Sequence, residues 1–136
     1  MLCAAPKYLR KFGEPKSPKD LEEHTSLCFR LNDRTHDRWS FVKGKQKVTV
    51  KVHGSVQCDD GDAVRKLALL GRGIAYKSRL DIAQDLKAGR LLPLCQDWLG
   101  EPTPLYLVSP DRSQVRPLVR VLRDFLLEQI ALLKRS

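Results

Sequence analysis

The sequence predicts an α/β domain, in which short buried strands alternate with amphipathic helices. Three stretches carry that expectation. Residues 59–76, DDGDAVRKLALLGRGIAY, place Ala63, Val64, Leu67, Ala68 and Leu70 at helical spacing, then pass Gly71 and Gly73 into an apolar run ending at Tyr76. Residues 39–52 alternate Trp39, Phe41, Val48, Val50 and Val52 with polar residues about a turn at Gly44, the period-two pattern of a hairpin with one buried face. Finally, Val115, Leu118, Val119, Leu122, Phe125, Leu126, Ile130 and Leu133 recur at helical spacing, with Arg116, Arg120, Arg123 and Lys134 mainly off that face.

In chain order, residues 2–5 form a short apolar strand halted at Pro6. Residues 7–12 make a helical turn that ends at Gly13, and 14–19 are a proline-rich connector. Ser17-Pro18-Lys19-Asp20 opens another short helix with proline at its first position, where a missing N–H costs nothing. A strand at 27–31, a polar turn at 32–38 and the hairpin follow. Residues 55–58 then lead into a helix whose first N–H groups Asp59 and Asp60 can cap. Gly71 stands where a left-handed residue ends a helix, and 73–76 is a buried strand. Beyond it come a helix at 80–88, with Asp81 near its start and Gly89 at its end, and a strand at 91–94. Residues 96–104 are a loop holding Trp98 and two prolines. A strand at 105–109, a turn at 110–113 and the last helix complete the chain.

A chain of 136 residues is about one domain, long enough to bury a core. No apolar run approaches the ~20 residues of a membrane span, and Met1–Ala5 lacks the basic flank of a secretory signal. A cytoplasmic protein is expected. Lys and Arg outnumber Asp and Glu by 25 to 16, giving +9. The bases run along the whole chain and alternate with acids, so a solvated basic surface is favoured over nucleic-acid binding. Cys3, Cys28, Cys58 and Cys95 contain no C-x-x-C pair, which argues for reduced thiols and against a metal site. His24, His36 and His53 sit in unlike surroundings, and no serine lies in a G-x-S-x-G elbow. Gly71-Arg72-Gly73 lacks the third glycine and preceding strand of a dinucleotide loop. No catalytic residue, cofactor or metal is expected. Trp39 and Trp98 read as core anchors, and His24 as a structural hydrogen-bonding partner before the strand at 27.

Five segments, in order, carry a resemblance to one family. Cys3–Leu9 (CAAPKYL) is similar to "ASPxYL" of the LysR-type transcriptional regulators. Pro18-Lys19-Asp20-Leu21 with His24 and Cys28-Phe29-Arg30 resembles their "P-x-D-L-x-x-H-x-C-L-x-F", and residues 59–76 resemble asparagine-aspartate-glycine, a helix, then G-x-G-I. Residues 85–91, DLKAGRL, match "D-L-x-x-G-R-L", and 108–126 resemble the closing "Y-P-x-R…V-R-x-F-x-D-F-L". The resemblance implies a periplasmic-binding-protein-like (type 2) regulatory lobe, incomplete, with a C-terminal helix from the partner lobe. Residues 1–104 would be the second lobe and 105–136 the strand and helix returning to the first. The DNA-binding part and most of the first lobe would be absent, as in a truncated product.

The effector contacts so implied are Asp59, Asp60 and Gly61 at the helix start, Lys77 and Ser78 where many members have leucine-proline, and Tyr106 and Ser109 near the interlobe hinge. Asp59 replaces the family's common asparagine, and two carboxylates there would repel an anion. Both aspartates can equally be plain caps, Lys77 a solvent-facing strand-end lysine, and Tyr106 and Ser109 strand packing. Without the first lobe, the eight apolar side chains of the last helix lose about 1.5–3 kcal/mol of burial each. Self-association, docking on another face or poor solubility should follow. The function expected is an effector-binding fragment of a LysR-type regulator, weak toward its small-molecule effector and without direct DNA contact. The alternatives are an autonomous basic nucleic-acid-binding protein and a truncated gene product without activity of its own.

Overall fold

The computed structural model describes residues 1–31, 34–54, 56–102, 104–108 and 117–135, and the side chains over those ranges except Leu31, Arg34, Lys134 and Arg135. The chain divides into two compact units, Met1–Glu101 and Pro102–Ser136.

Within the first unit, β1 (Leu2–Ala4), β2 (Ser26–Leu31), β3 (Arg34–Thr35), β6 (Val56–Cys58), β7 (Ile74–Tyr76) and β8 (Leu92–Leu94) build one mixed sheet ordered β3-β2-β7-β1-β8, with β6 also on β2. The strands β6 and β7 both run parallel to β2, with Leu27 opposite Val56 and Ala75. Antiparallel β1 lies between β7 and β8. A second sheet, ordered β5-β4-β9, comprises β4 (Arg38–Lys43), β5 (Gln46–Lys51) and β9 (Leu99–Gly100).

Strand alternation sends successive side chains to opposite faces, and each face of the mixed sheet has its own core. Leu2, Ala4, Cys28 and Ile74 meet Trp39, Phe41 and Val50 of the hairpin, together with Tyr8 and Leu21. Cys3, Ala5, Leu27 and Ala75 meet Val64 and Ala68 of α2 (Gly61–Leu69) and Ile82 of α3 (Arg79–Lys87). Trp39 is buried as expected, its indole N–H donating to the His36 carbonyl at 2.9 Å. Trp98 is half-buried against the same cluster.

The first helix, α1 (Pro6–Phe12), stops at Gly13, whose φ of 82° favours a residue without Cβ. A 3-10 helix, Pro18–Glu23, follows. Its start is a capping box in which Ser17 and Asp20 satisfy each other's backbone N–H groups. His24 accepts or donates at 3.2 Å to the Tyr8 hydroxyl, which in turn accepts from the Thr25 N–H.

Three strands differ from expectation. The two-residue β3 and β9 lie in stretches read as turn and loop, and β6 in one read only as a lead-in. All three are too short for alternation to register, and exist because a neighbouring strand supplies the ladder. Conversely, residues 104–108 form no strand, and Ser109 and the expected turn at 110–113 lie outside the described residues. The second unit, by itself, holds α4 (Pro117–Arg135), whose Leu118, Leu122, Phe125 and Leu126 are exposed. Among the described residues, no helix is long and apolar enough to cross a membrane.

Candidate effector-binding surface

Because β6 and β7 run parallel, both hand over to their helices at the same end of the sheet. The chain leaves β6 through Asp59-Asp60 into α2 and leaves β7 through Lys77-Ser78 into α3. Ligands of open α/β sheets bind outside these carboxyl ends, where helix N-termini offer spare N–H donors.

The first turn of α2 has a division of labour among its aspartates. Asp60 is the cap, its Oδ1 accepting from the Asp62 N–H at 3.0 Å. Asp59 is exposed and does not cap, a correction to the expectation that both do. Asp62 pairs with Lys66 at 2.8 Å and Arg65 at 3.3 Å. These hydrogen bonds, Lys66 first, hold its carboxyl below the usual range.

Lys77 also departs from expectation. It does not reach into solvent at the strand end: its side chain is only 13% exposed. Its Nζ donates to the Gly61 carbonyl at 3.1 Å and pairs with Asp81 at 2.9 Å. A Cβ on Gly61 would lie 3.1 Å from that ammonium, so the glycine leaves the room that Lys77 fills. Ser78 caps α3, its Oγ accepting from the Leu80 N–H at 3.3 Å. Gly61, Lys77 and Ser78 thus come together with Asp60 at one surface of the first unit. Tyr106 is exposed and belongs to the second unit, and Ser109 is not among the described residues.

The first unit also holds a cluster that sequence reasoning missed. The Asp85 carboxylate is fully buried, and Arg65 of α2 grips both its oxygens through Nε and Nη2. Arg90 adds Nε at 2.8 Å and Nη2 at 2.7 Å to Oδ1. Burial pushes the Asp85 carboxyl up, but the two guanidiniums outweigh it and its pKa is lowered. The segment DLKAGRL is therefore a closed structural unit. Gly89 turns at φ 66°, the Arg90 N–H returns to the Asp85 carbonyl at 2.9 Å, and Leu91 is buried. The five-residue separation of Asp85 and Arg90 was a usable signal; Arg65, twenty residues upstream, gave none.

A cavity of about 570 Å³ lies elsewhere, bordered by His24, Thr25, Cys28, Asp37, His53 and Gly54 among others, and none of the expected contact residues among those described lines it. Here Gly54 passes the Ser26 carbonyl so closely that a Cβ would meet that oxygen at 2.2 Å. The four cysteines are free; burial pushes the Cys3 thiol up to about 12 and Cys95 to about 11, so both stay protonated at neutral pH.

The family model described as the LysR substrate binding domain matches residues 1–131. The HTH-type transcriptional activator TtdR of Escherichia coli (strain K12) is 36% identical over 98 residues, 72% of this chain and 32% of that protein. The chain spans about a third of the length of such curated relatives. The regulatory domain of AphB from Vibrio vulnificus superposes with a TM-score of 0.76 at 22% identity, covering 95% of this chain and 63% of that one. For the regulatory domain of CrgA from Neisseria meningitidis the TM-score is 0.68 at 24% identity, over 93% and 62%. At these identities the two structures speak for the fold alone.

Proposed function

The chain belongs to the LysR substrate-binding domain family, with its periplasmic-binding-protein-like type 2 fold, and from that premise we propose that it senses a small-molecule effector for a transcription regulator. We read residues 1–104 as the second lobe of the effector-binding domain and 105–136 as the segment returning to the first. The effector then lies against Asp59, Asp60, Gly61, Lys77 and Ser78 of the first unit.

The observation that carries this reading is the meeting of the α2 and α3 starts at one end of the sheet, joined by the Lys77–Gly61 hydrogen bond. Lys77 is neutralised by Asp81, while Asp59 and Asp60 face solvent. Such a rim disfavours a bare polyanion and favours a ligand that turns hydroxyl or amine donors toward the carboxylates. In a DNA-bound regulator, an effector acts only through different affinities for two subunit arrangements.

An NMR titration of the 136-residue chain tests the site, with a panel of hydroxy acids, amino acids and amines at millimolar concentration. Weak binding is expected, with amide shifts at Asp60, Gly61, Lys77 and Ser78. Asp60→Asn keeps the cap and removes a charge, so it should change which ligands bind without unfolding α2. Shifts confined to the His24–His53 cavity, or none with any ligand, would sink the assignment.

A further inference from the structure

The whole-chain charge balance conceals a segregated patch, which concerns a different surface from the effector site and is argued independently of it. Residues 38–51 contain Arg38, Lys43, Lys45, Lys47 and Lys51 and no acid. The hairpin register sets Arg38 opposite Lys51, Ser40 opposite Thr49, and Val42 opposite Lys47. Trp39, Phe41 and Val50 point into the core, so by alternation these three pairs form the outer face. Arg38, Lys45, Lys47 and Lys51 are exposed, and the Ser40 and Thr49 hydroxyls lie 3.0 Å apart between them. Two cations are partly answered. Lys43 pairs with Asp97 at 2.8 Å, and Lys51 borders the cavity that Glu22, Glu23 and Asp37 also line.

We propose that this outer face docks on the phosphate backbone of duplex DNA without reading its sequence. Same-face residues of a strand recur every ~6.8 Å, so Lys47, Thr49 and Lys51 present a row of donors suited to successive phosphates. Cationic and hydroxyl donors are the groups that position proteins on DNA backbones. Aromatic side chains are missing from the three outward pairs, so the face has no platform on which unpaired bases would stack. It also lacks the aromatic anchors on which protein–protein affinity concentrates, its apolar content being Val42 with Leu99 alongside. Charge and geometry therefore favour a duplex backbone over a single strand or an acidic protein.

The test is fluorescence anisotropy of the 136-residue chain with a labelled random-sequence duplex between 50 and 200 mM salt. Each phosphate contact contributes about 0.9 to the slope of log affinity against log salt. Lys47→Gln with Lys51→Gln should lower that slope by about two and weaken binding at 50 mM salt by roughly a hundredfold. Lys19→Gln with Lys87→Gln, exposed lysines outside the hairpin, makes the same change in net charge and should leave the slope unchanged. Equal losses in both double variants would reduce the effect to diffuse net charge and overturn the proposal. So would no binding at 50 mM salt, or tighter binding to polyglutamate or to anionic phosphatidylserine vesicles than to the duplex.

Discussion

Asp85 shows how one side chain can hold two elements in register. Its carboxylate is buried, and both Arg65 of α2 and Arg90 beyond α3 close on it. Losing one cation leaves a desolvated charge half-answered, whereas losing the whole pair leaves only a packing problem. Arg65→Met should therefore destabilise the protein by about 3 kcal/mol, and Arg65→Met with Asp85→Leu should recover part of that loss, as read by urea denaturation. The pH dependence follows from the lowered pKa of Asp85. Its contribution is fully present above the unfolded value of about 3.9 and is lost as pH falls through the lower folded value. The thermal midpoint of the unmodified protein should thus fall steeply below pH 4, and that of Arg65→Met less steeply. The family-like segment DLKAGRL was legible as a motif, but its meaning was not, because Arg65 lies far away in sequence and meets it only once α2 is packed.

At the scale of elements, what could be read was whatever has a period or a stop signal of its own. The helices α2 and α4 and the strands of the hairpin announced themselves by spacing, α3 by Asp81 near its start and Gly89 at its end, and Gly13, Gly71 and Gly89, all at positive φ, marked three helix ends. The two-residue strands β3 and β9 could not be read, because they owe their existence to a partner's exposed ladder. The same is true of Gly54, unremarkable in sequence, which the fold presses against the Ser26 carbonyl. Gly54→Ala must move backbone on the approach to β6, and a cost of about 2 kcal/mol or more is expected in the same denaturation measurement. An unchanged midpoint would mean that this close approach is not maintained in solution. For the candidate site, sequence placed Asp60 as a cap but misjudged Lys77. A strand-end lysine looks solvent-bound until the glycine opposite it is seen to leave a berth.

At the scale of the molecule, the second unit, taken alone, exposes the apolar face of α4. Association through that face should make the mass seen by light scattering rise with concentration, and Leu122→Glu with Phe125→Glu should abolish the rise. A sharp, concentration-independent monomer would refute it. A last consequence concerns the order in which the chain is made. Strand β1, at residues 2–4, is an interior strand flanked by residues 74–76 and 92–94. At ~5–20 residues per second, a ribosome needs roughly 5–20 s to deliver β8 after β1. Until residues 74–76 are made Leu2–Ala4 is an apolar ribbon with neither neighbour, and until residues 92–94 follow the central sheet cannot close. Folding of this domain is bound to its own completion, so each nascent copy passes through a window in which capture by a chaperone competes with capture by another nascent chain.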